Sequence, residues 1–436
     1  MIFDSDPNFA WLDQLERKAS AYFQHEVDAE TGLVRDNTSE DARATIAGSG
    51  FALCNNVIAA ERGYLTREDA AERARRALRF LWNAPQGDGK DVIGTRGFFY
   101  HFLDMRSGRR MWRCEVSTID STILFAGALV AAAYFDRATT TEHEIRWTAD
   151  AIYRRADWNW ALDGGKLVSL GWRPERGFLP YHWVGYTEAL LLYVLALGSP
   201  THPLPSDCYV EWCKGYRWRS LYGYELLYAG PLFIHQLSHA WIDFRGIRDA
   251  YMSARASDYF ENSRRATYVQ RAYATRNPRR FVGYDADCWG ITACDGPGPA
   301  IRPINGEQRR FWHYRARGVP FGPDDGTVSP SAIVASLPFA PEIVVPTIEA
   351  MRARHPSIDR AYGLACSVNP SVRVDGDDAS GWVSPVHYAI DQGPLVMMLE
   401  NVRSELVWRL VRSCPYVVDG LRRAGFTGGW LRFPSR

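Results

Sequence analysis

No run in the sequence approaches the roughly 18 uninterrupted apolar residues that a membrane-spanning helix requires, so no segment is a candidate span. Neither sign of charge is in excess: 51 basic residues stand against 50 acidic ones. That balance argues against a nucleic-acid stripe or a polybasic membrane patch, and neither partner is expected. There is no Walker motif, no G-x-S-x-G elbow and no dinucleotide fingerprint, so no cofactor is expected. Eight cysteines (Cys54, Cys114, Cys208, Cys213, Cys288, Cys294, Cys366 and Cys414) form no Cys-x-x-Cys pair and no zinc spacing, which leaves buried free thiols as the plain reading. Cys208 with Cys213 and Cys288 with Cys294 are the pairs placed to bridge in an oxidising compartment. No low-complexity tract or long Ser/Gly linker interrupts the chain, so residues 1–436 read as one large domain, monomeric or homodimeric. The opening Met1-Ile2-Phe3-Asp4-Ser5-Asp6 has no basic n-region and no apolar h-region. The expectation is a cytoplasmic protein as written, or a periplasmic or secreted one whose signal has been removed.

Aromatic residues are abundant: 16 Trp, 22 Tyr and 20 Phe. Many must be core. The excess also suits a sugar site, because the C–H faces of pyranose rings stack on aromatic rings.

Helical periodicity dominates the chain. Phe9 to Phe23 reads as an amphipathic opening helix, Ile46 to Glu61 as a buried one, and Thr66 to Trp82 as a capped, charged one. Ser117 to Phe135 is nearly all apolar and Thr141 to Tyr153 amphipathic. The alternation continues through Thr187 to Leu197, Pro231 to Phe244, Asp258 to Arg276, Ser329 to Leu337, Glu342 to Arg354 and Pro394 to Cys414. Eleven or twelve helices alternating between buried and half-exposed predict two concentric rings, an all-α (α/α)6 toroid or barrel. Long connections rich in Gly, Pro and aromatics (Pro85 to Arg113, Trp158 to Trp183, Ser199 to Gly230, Phe281 to Pro330) exceed ordinary loop lengths. Gly97 to Phe102 and Lys166 to Leu170 read as short strands over one mouth.

Three acidic motifs stand where apolar helices begin: Glu115-Val116-Ser117-Thr118-Ile119-Asp120, Gly185-Tyr186-Thr187-Glu188 and Asp391-Gln392-Gly393-Pro394, with Pro394 suited to a first helical position. Acids there also serve as caps. These, however, lie among Trp112, Trp183, Tyr186 and Tyr388. Cleaving a glycosidic bond needs one carboxyl to donate a proton and another to activate water or attack carbon. The donor needs an apolar wall that raises its pKa. Glu188, near Tyr186 and Trp183, has that neighbourhood in sequence; Asp391, next to Gln392 and Gly393, suits the ionised partner. His235, His239 and Asp243 fall on one face of a helix at metal-ligand spacing, but no zinc-protease glutamate accompanies them. Hydrogen-bonded core residues or sugar-hydroxyl partners fit better, and no metal is expected. Asp258 to Arg265 is a dense polar run opening a helix, either a solvated face or a substrate contact.

Several ordered motifs carry a resemblance: Phe98 to Asp104, Glu115 to Asp120, Leu197 to Pro203, Pro231 to Phe233 with Trp241 to Arg245, Asp258 to Ala266, Trp289 to Ala293 and Asp391 to Pro394. From about residue 10 to 415 the chain resembles the glucoamylase-like domain of bacterial β-1,2-glucanases and the C-terminal processing region of cyclic β-1,2-glucan synthases. The resemblance implies an (α/α)6 barrel without metal. It implies hydrolysis of a β-1,2-glucan polysaccharide or oligosaccharide, endo-acting and inverting. It makes Glu188 the general acid and Asp391 the base, acting directly or through a relay. Candidate substrate contacts, on these motifs and between them, are Tyr100, His101, Glu115, Asp120, Tyr186, His235, Gln236, Asp243, Arg245, Asp258, Tyr259, Asn262, Arg265 and Trp289. Three other functions use the same pit: a transglycosylase that closes or rearranges the glucan, an exo-acting sophorose-releasing hydrolase, and a binding module without turnover. The product profile separates them.

Overall fold

The computed structural model describes residues 10–89, 91–373 and 381–432. Among them lie fifteen α-helices: α1 (Ala10–His25), α2 (Ile46–Glu61), α3 (Arg67–Asn83), α4 (Thr118–Tyr134), α5 (Thr140–Arg154), α6 (Leu190–Gly198), α7 (Ser206–Cys213), α8 (Leu237–Trp241), α9 (Ala250–Ser253), α10 (Tyr259–Arg276), α11 (Pro330–Ala335), α12 (Pro341–Arg354), α13 (Ala389–Ser404), α14 (Leu406–Arg412) and α15 (Pro415–Arg423). None is long and apolar enough to cross a membrane.

Sequence pattern decides which helices are enclosed. α2 is buried from Ile46 to Ala59, α4 from Ile123 to Ala131, and α6 throughout. Such helices are apolar on every side and must be surrounded. α3 instead buries Ala70, Ala71, Ala74, Ala77, Leu78 and Leu81 along one stripe, and Thr66 caps it by accepting from the Asp69 N–H. α2 packs on α4, α4 on α6, α6 on α8, α8 on α13, α11 on α13, and α13 back on α2. Between α8 and α11 the Gln236 amide donates to Ala332 O (2.6 Å) and Ser336 Oγ (2.7 Å). The amphipathic α1, α3, α5, α12 and α15 pack outside these. A continuous buried apolar core runs through both sets, from Leu12 to Leu431.

The tightest join is between α2 and α4. A Cβ on Gly50 would stand 2.4 Å from Ile123 O, and one on Gly127 would stand 2.0 Å from Gly50 O. The two backbones touch, and only glycine permits it.

Several expectations are corrected. Pro231 to Phe244 is not one helix: a 3-10 turn at Leu232–His235 breaks at Gln236 before the short α8, so His235, His239 and Asp243 share no helical face. α13 begins at Ala389, with Pro394 inside it rather than at its first position. The Ala389 N–H is satisfied by Asp36 O (2.9 Å), which lets the helix start early. Lys166 to Leu170 is not a strand; pairing there is a single bridge, Ser169 with His182. The expected start of the first helix at Phe9 lies outside the described residues. All eight cysteines are free, seven of them buried, so neither candidate bridge forms. Burial pushes every one of the thiols up.

Strands do lie beside the helix N-termini. A five-stranded antiparallel sheet runs in the order Gly94–Thr95, Phe98–Tyr100, Val116–Ser117, Gly171–Arg173, Gly177–Phe178. Its central strand leads directly into α4, whose cap Ser117 accepts from the Asp120 N–H.

Candidate active site

A cavity of about 570 Å³ opens where the N-terminal ends of α2, α4, α6, α8, α11 and α13 converge. Thr45, Ile119 and Asp120, Glu188, Gln236 and Leu237, Ser331 and Ala332, and Ile390 and Asp391 line it from those six ends. The loops before α2, α4 and α11 add Asp36, Asn37, His101, Phe102, Thr292 and Tyr314.

Glu188 and Asp391 both face this space. The cavity that Glu188 lines also has the apolar side chains of Ile119, Phe233 and Leu237 in its lining. Burial pushes its carboxyl up to about 7, its own backbone N–H opposes that, and the Asp120 carboxylate adds to it. Asp391 is also raised to about 7, first by burial; contact with the Cys366 thiol opposes this, and Asp36 and Asp295 add to it. Its Oδ2 is buried without a hydrogen-bond partner. Asp391 thus stands in a more buried setting than its neighbours Gln392 and Gly393 suggest. Gln392 is fully buried and turned toward His387 Nδ1 (3.3 Å). A Cβ on Gly393 would meet the Phe51 ring at 2.3 Å, so that residue serves the α2–α13 packing. What surrounds Asp391 in space is its neighbour Tyr388 together with Tyr314, Asp36 and Asp295 from distant segments. Tyr314 and Tyr388 tilt against each other at 5.1 Å between centroids.

His101, also lining the cavity, follows the strand Phe98–Tyr100, and its N–H donates to Glu115 O (2.9 Å). Its ring stacks on Phe102 at 4.0 Å. Nδ1 is 3.0 Å from Glu115 Oε1, and Nε2 is 3.7 Å from Asp120 Oδ2. Burial alone would lower the imidazole, but the Asp120, Glu115 and Asp36 carboxylates raise it to about 9. Glu115, bonded to His101 and to Arg173 (3.3 Å), is held down at about 2. A neutral-pH imidazolium therefore stands among three carboxylates. Ser117 Oγ donates to Asp120 Oδ2 (2.5 Å), fixing that acid's rotamer.

Five residues named from sequence line the cavity: Glu188, Asp391, His101, Asp120 and Gln236. Glu115 stands one layer back, behind His101. The others are placed elsewhere. Tyr100 is buried under the Arg110 guanidinium (4.9 Å). Tyr186, which with Trp183 was to wall Glu188, stacks on Tyr259 (5.8 Å) and tilts against His235 (5.2 Å) behind the cavity. Trp183 donates to Thr118 Oγ1. Tyr259 donates to Asp249 Oδ2 (2.7 Å). Asn262 pins Leu227 through both its N–H and its C=O. His235 and His239 are buried and pushed down to about 4 and 3; His239 Nε2 faces Ser263 Oγ (3.0 Å). Asp243 pairs with Arg245 (2.8 Å) and Arg412. Asp258 caps α10, and Arg265 pairs with Glu261 (2.8 Å) on that helix. Trp289 is a core residue bonded to Thr347 Oγ1 (3.0 Å). Among the described residues no three His, Cys, Asp or Glu side chains converge as a metal site.

Sequence reasoning missed Asp36, Asn37, Phe233 and Tyr314. Asp36 and Asn37 sit in an irregular loop tied to the segment before α13 by the Thr38 N–H to His387 O bond (3.1 Å). The one available signal for Tyr314 was the aromatic run Phe311-Trp312-His313-Tyr314 within an overlong loop.

Comparison with known proteins adds to this geometry. The family model Glycoamylase, described as "Putative glucoamylase", matches residues 180–415. A relative from Parabacteroides distasonis, an exo β-1,2-glucooligosaccharide sophorohydrolase (non-reducing end), is 26% identical over 448 residues, covering 94% of this chain. The chain spans only 57% of that relative's length. A crystal structure from Bacteroides uniformis, described in the same words as the family, is 29% identical with a TM-score of 0.84, covering 98% of this chain and 100% of that one. The endo-β-1,2-glucanase from Chitinophaga pinensis, in complex with sophorotriose and glucose, is 26% identical with a TM-score of 0.81, covering 98% and 100%.

Proposed function

The chain belongs to the Glycoamylase family, and from that premise we propose that it is a glycoside hydrolase that cleaves β-1,2-glucan, endo-acting and with inversion, on a single-domain (α/α)6 toroid. The carrying observation is the pair of cavity carboxyls, Glu188 and Asp391, each raised to about 7 where helix ends converge. The similar proteins named as acting on β-1,2-linked glucans support the substrate. The enclosed α2, α4, α6, α8, α11 and α13, with amphipathic helices packed outside them, support the toroid.

In this reading protonated Glu188 donates to the glycosidic oxygen as the bond from the anomeric carbon breaks. Ionised Asp391 accepts a proton from the attacking water, directly or through a sugar hydroxyl, as the new carbon–oxygen bond forms on the opposite face. A base whose pKa lies near neutrality is stronger than an ordinary carboxylate and is still ionised often enough to act. Gln236, His101 and Asp120 offer hydrogen-bonding groups to sugar hydroxyls, and Tyr314 and Tyr388 offer ring faces.

The test is incubation of the purified protein with linear β-1,2-glucan, with product chromatography over time and Glu188→Gln as control. A spread of short oligosaccharides from the wild type, with turnover reduced on the order of 10²–10⁴-fold in the variant, is expected. No new reducing ends, or wild-type-like turnover by the variant, would sink the proposal. Sophorose as the sole initial product would favour exo action, the reading that the Parabacteroides relative supports.

A further inference from the structure

Trp112 is 61% exposed, and its backbone lies at φ +53°, as does that of Arg113. Left-handed backbone is uncommon outside glycine and an outlier for a bulky side chain. Two such residues in succession persist only where the surroundings hold them. Here the holding group is Arg110. Its Nε donates to Cys114 O (2.6 Å), one Nη to Arg113 O (2.7 Å) and the other to Glu175 Oε1 (2.6 Å). The Met111 N–H donates to Phe102 O (3.0 Å), closing the turn against the sheet edge.

This stapled turn stands at the rim of the cavity. The Trp112 ring meets Phe102 edge-on at 5.2 Å, and Phe102 lines the cavity and stacks on His101. The Arg43 guanidinium also lies 5.8 Å from the Trp112 ring. Arg43 O accepts from the N–H of the cavity residue Asp36 (2.7 Å). A large ring is thus kept exposed, at a cost in backbone strain, beside the opening. Core packing explains none of this, because most of the ring's surface is in water.

We propose that Trp112 is a stacking platform for sugar residues of a glucan chain that runs out of the cavity, so that the protein selects chains longer than the cavity itself holds. An exposed indole presents a flat apolar face of the kind that binds the C–H face of a pyranose. Arg43 beside it supplies hydrogen-bond donors for the ring hydroxyls. This inference rests on the proposed glucan hydrolysis and adds a determinant of chain length to it.

The test measures kcat/KM on long linear β-1,2-glucan and on the shortest oligosaccharide cleaved, for wild type, Trp112→Ala, Trp112→Gly and Trp112→Phe. The long-to-short ratio is expected to fall about tenfold, or roughly 1.4 kcal/mol, in the Ala and Gly variants and to be largely kept in Phe. Glycine relieves the left-handed strain, so the melting temperature of Trp112→Gly is expected not to drop while its ratio does. An unchanged ratio overturns the proposal, as does an equal loss on long and short chains, the mark of a merely structural role. The unmutated protein is read first: no turnover of β-1,2-glucan there overturns the proposed function itself, and the platform for that glucan with it.

Discussion

His101 Nδ1 lies 3.0 Å from Glu115 Oε1, and the pair joins the end of one strand to the segment that starts α4. The histidine is raised from 6.5 to about 9 and the glutamate lowered from 4.5 to about 2. The stabilising contribution of a raised base is complete below its unfolded pKa and is lost as pH climbs through the folded one. For the lowered acid the contribution is complete above its unfolded pKa and is lost as pH falls. The His101–Glu115 contribution is therefore whole between pH 4.5 and 6.5 and declines toward 9 and toward 2. Melting curves of wild type and His101→Gln across this range test it. The variant is expected to lose the alkaline decline between pH 6.5 and 9; identical slopes would refute the coupling.

In the proposed mechanism the two carboxyls have opposite demands. Glu188 must be protonated, so turnover falls as pH rises through about 7; Asp391 must be ionised, so turnover falls as pH drops through about 7. A narrow bell centred near neutrality is the expected profile of kcat/KM. Asp391→Asn is expected to lose turnover and, in its residual activity, the acidic limb. A broad plateau from pH 4 to 6 would contradict the raised Asp391.

Arg317 and Asp325 form an ion pair (2.7 Å) whose side chains are both 0% exposed. Arg317 also donates to Cys294 O (2.6 Å) and Trp312 O (3.0 Å), framing the loop that presents Tyr314 to the cavity. Arg317→Met leaves the Asp325 charge buried and uncompensated. A loss of about 3–5 kcal/mol is expected in denaturant unfolding, with a raised KM from the displaced tyrosine.

The α2–α4 contact makes a sharper structural prediction. Gly127→Ala places a methyl 2.0 Å from Gly50 O, and neither backbone has a flexible end to yield. Destabilisation of about 1–3 kcal/mol is expected. Activity should fall as well, because the two helices carry Thr45 and Asp120 to the same cavity. Measuring unfolding and turnover in the same variant checks both.

Helix existence was readable because the enclosed helices are apolar on all sides and outer ones such as α3 and α5 carry period-3.6 stripes behind Thr caps. Ile46–Glu61 matches its expected bounds to the residue. The failures came where a tertiary partner replaced a local signal. Gln236 breaks the expected Pro231–Phe244 helix because its amide is engaged by α11. Asp36 O extends α13 five residues ahead of Pro394 by satisfying Ala389. At the site, acids at helix starts were legible. Their protonation was not, since it is set first by burial in the folded cavity and, for Asp391, also by Cys366, Asp36 and Asp295 from segments without periodicity. Polar motif residues such as Asn262, Tyr259 and Trp289 read as ligand contacts in one dimension. In three dimensions their polar atoms are already consumed by Leu227, Asp249 and Thr347.

Eight thiols, every one pushed up by burial, hold almost no thiolate at neutral pH, and thiolate is the form that reacts. They are distributed from Cys54 on α2 to Cys414 before α15. Seven of the eight are also buried, so the folded molecule is expected to react slowly with alkylating reagents until a segment opens. Labelling by a maleimide followed by peptide mapping would report which segment opens first, turning an unremarkable set of core residues into eight local clocks of unfolding.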